Sequence, residues 1–169
     1  PRRTVQREGF NHLQAHQGRP SVLNLAPQQL HGFVRVEAQN HRRHGAINGF
    51  ATKFQLYTVP GQVYYNATRK LVLQGADGVV FVGDSQARRY DDNVESLQNL
   101  QENLLAQGVD IRQLPVVFQY NKQDLPRDLI LSPDELDDAL NFRGVRSFGA
   151  DCLHGHGVFE TLKGISELV

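Results

Sequence analysis

Two short and almost unbroken apolar runs constrain this chain most: DGVVFVGD at Asp77–Asp84 and LPVVFQY at Leu114–Tyr120. Runs of that kind read as strands covered on both faces. Between them, Ala87 to Gln107 carries Val94, Leu97, Leu100 and Leu104 at helical spacing and closes on Gly108. That spacing predicts a long amphipathic helix. The flanks continue the alternation. Gly49 to Val59 alternates, with Phe50, Phe54 and Leu56 on one face, and ends at Pro60-Gly61, so it reads as a half-buried strand. Val63 to Gln74 is helix-like. Ser132-Pro133-Asp134-Glu135 forms a capping box with proline at the first helical position and opens a helix to Asn141. Val145 to Gly149 reads as a last strand and Val158 to Val169 as a last helix. Strands alternating with helices predict an α/β layer fold with a largely parallel sheet. In such sheets ligands bind beyond the carboxyl ends of the strands, so the loops at Pro60, Asp84, Asn121 and Ala150 are the ones to inspect.

The first 47 residues speak a different vocabulary. They hold seven arginines against two glutamates, a charge of +5, with no lysine, no aspartate and five of the seven histidines. Residues 48–169 hold eleven Lys or Arg against sixteen Asp or Glu, a charge of −5. The predicted organisation is a non-matching Arg/His/Gln-rich segment over 1–47 and one α/β domain over 48–169. Within 1–47 only Ser21–Ala26 is an apolar run and only Gly32–Val36 suggests a brief strand, so the segment is expected to be irregular. The halves cancel to zero net charge. No global field points to nucleic acid or a membrane. The single cysteine, Cys152, excludes an intramolecular disulfide and fits a reducing compartment. No apolar run approaches the roughly 18 residues of a membrane span, and the N-terminus has no signal-like apolar stretch. A cytoplasmic protein is expected.

Chemistry gathers in the inspected loops. Asn121-Lys122-Gln123-Asp124 follows a buried strand. A carboxylate can accept two hydrogen bonds from the N1–H and exocyclic amino group of guanine, a lysine stem can cover a base plane, and an asparagine can bond both the base edge and a neighbouring loop. A polar turn after a strand contains the same residue types. Thr58-Val59-Pro60-Gly61-Gln62 follows the alternating strand. Gly61 can offer its backbone N–H to a terminal phosphate and Gln62 can orient a water for in-line attack; an ordinary Pro-Gly turn fits as well. The loop Ala150-Asp151-Cys152-Leu153 can close over a base from the other side, or simply connect strand to helix. His154 and His156 lie two apart in a glycine-rich loop and read as solvated. His12 and His16 have i,i+4 spacing without a neighbouring glutamate or third ligand, and no metal site is assigned.

The stretch from Gly49 to Gln86, with NKQDLP at 121–126 and GVFETLK at 157–163, closely resembles the MglA family of small GTPases, bacterial regulators of polarity and gliding motility. TVPGQ is specific to that branch of the Ras-like proteins. The resemblance covers about 120 residues, with the motifs in order. It implies a Ras-like P-loop NTPase-type sheet with helices on both faces. It implies that Asn121, Lys122 and Asp124 hold guanine, that Asp151 and Cys152 stand where the family has a Ser-Ala base loop, that Gly61 meets the γ-phosphate, and that Gln62 positions the water. The implied cofactors are GTP or GDP with Mg²⁺. The implied partner is a roadblock-type, MglB-like activating protein, and the implied activity is slow GTP hydrolysis by a switch.

The family's opening strand, GxxxxGK[ST] loop and first helix have no recognisable counterpart. The dipeptide Gly-Lys occurs nowhere in the chain. That loop supplies backbone donors, a lysine charge and a Mg²⁺-binding hydroxyl. The switch threonine and the arginine before the first switch strand are missing too. The absent strand belongs centrally, between the strands at 49–59 and 77–84. Two expectations follow: a GTPase of this type whose nucleotide binding is defective in this chain, or a nucleotide-free pseudo-GTPase serving as an interaction module. The genetic code admits a wrong-frame origin for the first 45 or so residues. Read one nucleotide later, Glu8-Gly9 must encode Lys or Arg, and the overlaps at Arg7–Glu8 and Arg2–Arg3 can encode Gly, so the shifted frame permits GxxxxGK.

Overall fold

The computed structural model describes residues 32–42, 50–60 and 66–169. Its strands are β1 (Gly32–Arg42), β2 (Phe50–Pro60), β3 (Gly78–Asp84), β4 (Val116–Asn121) and β5 (Ser147–Gly149), and its helices are α1 (Asn66–Leu73), α2 (Tyr90–Leu105), α3 (Pro133–Leu140) and α4 (Val158–Ser166). A short 3-10 turn at Ala87–Arg89 leads into α2. From β2 onward, strand and helix alternate as the apolar pattern predicts.

The five strands form one sheet in the order β2-β1-β3-β4-β5. β3, β4 and β5 run parallel, joined by the crossover helices that parallel pairing requires. β1 runs antiparallel to both β2 and β3. Valines and phenylalanines of β3 and β4 alternate between two faces. Val79, Phe81, Val116, Phe118 and Tyr120 meet Val72 and Leu73 of α1, Leu97, Leu100 and Leu104 of α2, and Leu136 and Leu140 of α3. On the other face Val36, Val80, Val82 and Val117 meet Ile165 of α4. Every residue of β3 and β4 is buried.

The sequence suggests a brief strand at Gly32–Val36 within segment 1–47; β1 begins there, runs on to Arg42 and lies between β2 and β3. Residues 1–31 and 43–47, including the run Ser21–Ala26, His12 and His16, lie outside the described residues. The physical reason is that β2 and β3 would otherwise each present a row of unpaired backbone groups. The alternating Val34 and Val36 supply an apolar face to fill the gap, and Val36 is fully buried. The direction of β1 is opposite to β3, so its N-terminal end, not its carboxyl end, lies at the edge where β3 and β4 finish.

Candidate functional site

The register shows which loops share that edge. Pro60 pairs with Gly32, Gly32 with Val82, and Val82 with Gln119. Pro60 therefore lies in the same row as a residue two positions before Asn121. The end of β2 and the NKQD loop sit at one edge of the sheet, as the strand alternation predicts. Gly61 and Gln62 lie outside the described residues.

Asn121 closes β4 and is buried. Its Oδ1 accepts from the backbone N–H of Cys152 at 2.9 Å, so one side chain ties the NKQD loop to the 150–153 loop. Its carbonyl accepts from Ser85 N–H at 3.0 Å, which ties it to the end of β3. Lys122 then turns the chain with φ 72°, and its Nζ donates to Asp84 Oδ2 at 2.6 Å. Gln123 braces the loop from both sides. Its backbone N–H donates to Ala150 O at 3.0 Å and its Nε2 donates to Ser85 Oγ at 2.7 Å. Asp124 is exposed at the mouth. Its carboxylate, that of Asp151 and the imidazole of His154 place one polar atom each within 4.8 Å of one another.

The second loop is built on Asp151, which is buried. Its Oδ1 accepts from Leu153 N–H at 3.1 Å and His154 N–H at 3.2 Å. Its Oδ2 bonds His154 Nδ1. Burial opposes ionisation of Asp151, but the bonds from His154 and from the two backbone N–H groups outweigh it and hold the carboxyl below its usual range. Cys152 behaves oppositely. Burial pushes its thiol up to about 11, only partly offset by the Gln119 amide, which donates to Sγ at 2.9 Å. At neutral pH Cys152 is a neutral thiol and no nucleophile. What this loop offers a ligand is backbone and shape. Gly157 closes it onto β5 with φ 73°, and a Cβ there would lie 2.2 Å from Gly149 O.

The mutual gliding-motility protein MglA of Myxococcus xanthus (strain DK1622) is 53% identical to this chain over 125 residues, which is 74% of this chain and 63% of that relative. Over those residues the chain is of the MglA type. It spans less than two thirds of the relative's length. No protein-family model matches the chain. With this relationship the mixed sheet and its helices are the Ras-like α/β fold.

In this MglA-type segment the structure brings Asn121, Lys122, Asp124, Asp151 and Cys152 into one corner. Sequence reasoning marked the loop at Asp84 for inspection but gave Asp84, Ser85 and Gln86 no role. Asp84 is 1% exposed and accepts from Gln86 N–H at 3.0 Å, from Gln86 Nε2 and from Lys122. The available signal was a carboxylate ending an otherwise apolar run. The sequence has no Gly-Lys dipeptide, and β1 brings its N-terminal end to this edge. Among the described residues no helix is long and apolar enough to cross a membrane.

Proposed function

We propose that this chain carries the guanine-recognising part of an MglA-type switch GTPase, for polarity or gliding motility, and that on its own residues it holds guanine nucleotides weakly. The observation that supports the reading is the Asn121 tether. It fastens the 150–153 loop beside Lys122 and Asp124 at the carboxyl edge of the sheet, where ligands of open α/β sheets sit. Asp124 would accept from the guanine N1–H and amino group, the Lys122 stem would cover the base, and the 150–153 backbone would close the opposite side. Gly61 and Gln62 would act on the terminal phosphate and the water. An MglB-like roadblock partner would accelerate that step.

A triphosphate brings about four negative charges, and leaving them without compensating donors costs several kcal/mol per ion in a partly buried site. The second reading, a nucleotide-free interaction module, is favoured by β1 standing where a phosphate-loop strand would be needed. One titration separates the two. A fluorescent GTP analogue is added to the full chain with Mg²⁺, with GTP and ATP as competitors. Weak but guanine-selective binding, lost in Asp124→Ala, supports the first. Binding without base preference, or none at millimolar nucleotide, supports the second. Sub-micromolar Mg²⁺-dependent binding would overturn the weak-binding part of the proposal.

A further inference from the structure

We propose that Asp84 is the positioning residue for Lys122: its buried carboxylate pins the lysine ammonium across the sheet edge, so the stem is preordered as a platform for a purine. The inference rests on the guanine-binding reading above and deepens it.

Three observations carry it. Asp84 and Asn121 are register partners on adjacent strands, so a bond from Lys122 Nζ to Asp84 makes the stem run from the end of β4 to the end of β3. The contact is 2.6 Å, between a lysine side chain 26% exposed and a carboxylate 1% exposed. Lys122 is also the single non-glycine residue with positive φ among the described residues, a conformation that persists where surroundings over-determine it.

Asp84 is itself held from every side. Asn93 bonds both of its backbone groups, accepting from its N–H at 2.9 Å and donating to its O at 2.8 Å. Gln86 Nε2 reaches both carboxylate oxygens, at 3.1 and 3.2 Å. Arg88 in turn donates twice to Gln86 Oε1, at 3.1 and 2.8 Å. A continuous line of directional bonds, Arg88 to Gln86 to Asp84 to Lys122, thus ends on the base-covering residue. An unpinned lysine has a flexible four-carbon stem and covers a ring only at an ordering cost. Pinned at both ends, it presents its methylenes already in place.

The chain has four lysines: Lys53, Lys70, Lys122 and Lys163. Brief reductive methylation of the folded full chain, mapped by mass spectrometry, reads each one separately. Lys122 should react about ten-fold slower than Lys163, the protection one charge-assisted hydrogen bond can give. Asp84→Asn should remove that difference and leave the other three rates unchanged. Gln86→Ala, at a less buried position, should free Lys122 by about three-fold as the carboxylate loses part of its support, and it serves if the Asp84 variant does not fold. An unprotected Lys122 in the native chain, an unchanged Lys122 rate in both variants, or a common rise in all four rates as from general loosening, would each overturn the proposal. Millimolar GDP in the same assay tests the underlying reading: it should slow Lys122 further in the native chain but not in Asp84→Asn. If GDP moves no lysine while Asp84→Asn still frees Lys122, the guanine reading fails and the positioning role stands.

Discussion

Of the described glycines, Gly157 leaves least room for a side chain. Its φ is 73°, and a Cβ there would meet Gly149 O at 2.2 Å and Ala150 Cα at 2.9 Å, both backbone atoms that cannot swing aside. Gly157→Ala therefore combines a left-handed conformation with a backbone clash and should cost about 3 kcal/mol or more, read as a lower urea midpoint with unchanged slope. A loss below about 0.5 kcal/mol, the ordinary surface range, would show that the 150–157 loop does not close in this way. Cys152 makes a second residue-scale test. With its thiol near 11 rather than the ordinary 9.0, alkylation of the native chain at pH 8 should be about 100-fold slower than that of the unfolded chain. The linkage sign follows from the raised value. Between pH 9 and 11 the unfolded chain releases the thiol proton while the folded chain keeps it, so stability falls across that window. A Cys152→Ser variant should lack that component of the decline.

Among the elements, α3 was legible, and of β1 only the first half, Gly32–Val36, was. The capping box is present as its sequence predicts: Glu135 N–H donates to Ser132 Oγ at 3.3 Å and Ser132 N–H donates to the Glu135 carboxylate at 2.8 Å. Ser132→Ala should cost about 1 kcal/mol, seen in the melting temperature. Ser132 N–H and Ser132 Oγ–H both donate to the Glu135 carboxylate and hold it below its usual range, so its support of α3 is present above the unfolded value near 4.5 and fades as pH falls through the lower folded one. Local signals of this kind, with the apolar runs and glycine stops, marked every element from β2 to α4. The second half of β1, Glu37–Arg42, reads EAQNHR and has no apolar alternation. It is a strand because β2 lies beside it, and only tertiary context shows that. The site divides the same way. Asn121, Lys122 and Asp124 were readable as neighbours, whereas the Asp84–Lys122 bond joins residues 38 apart whose meeting depends on strand order. The test of β1 is Val36→Asp. Val36 is fully buried against Val80, Val82, Val117 and Ile165, so an unpaired carboxylate there should cost about 3 kcal/mol or more and expose β1 amides to hydrogen exchange. A neutral effect would mean that this strand does not fill the central slot.

For the whole molecule, the decisive feature is the direction of β1. A nucleotide triphosphate needs a strand that delivers its carboxyl end, and the loop after it, to the edge formed by Asp84 and Asn121. The slot between β2 and β3 is held by a strand of opposite sense, so on the weak-binding reading proposed above this pairing leaves no strand there for a phosphate loop to follow. A chain given an N-terminal strand-GxxxxGK[ST]-helix unit should recover tight GTP binding only if Gly32–Arg42 leaves β3. A Val34→Cys/Val80→Cys crosslink across that register pair should abolish the gain under oxidation and restore it under reduction, measured by the same fluorescent titration. The order of synthesis adds a different consequence. β1 and β2 pair across separations of only 8 to 28 residues, so their hairpin can form within microseconds once made. The inner edge of β1 must then wait until β3 leaves the ribosome. During that interval an open strand edge is available to any second copy of the chain, and refolding yield should fall with concentration until the β3 edge is reached.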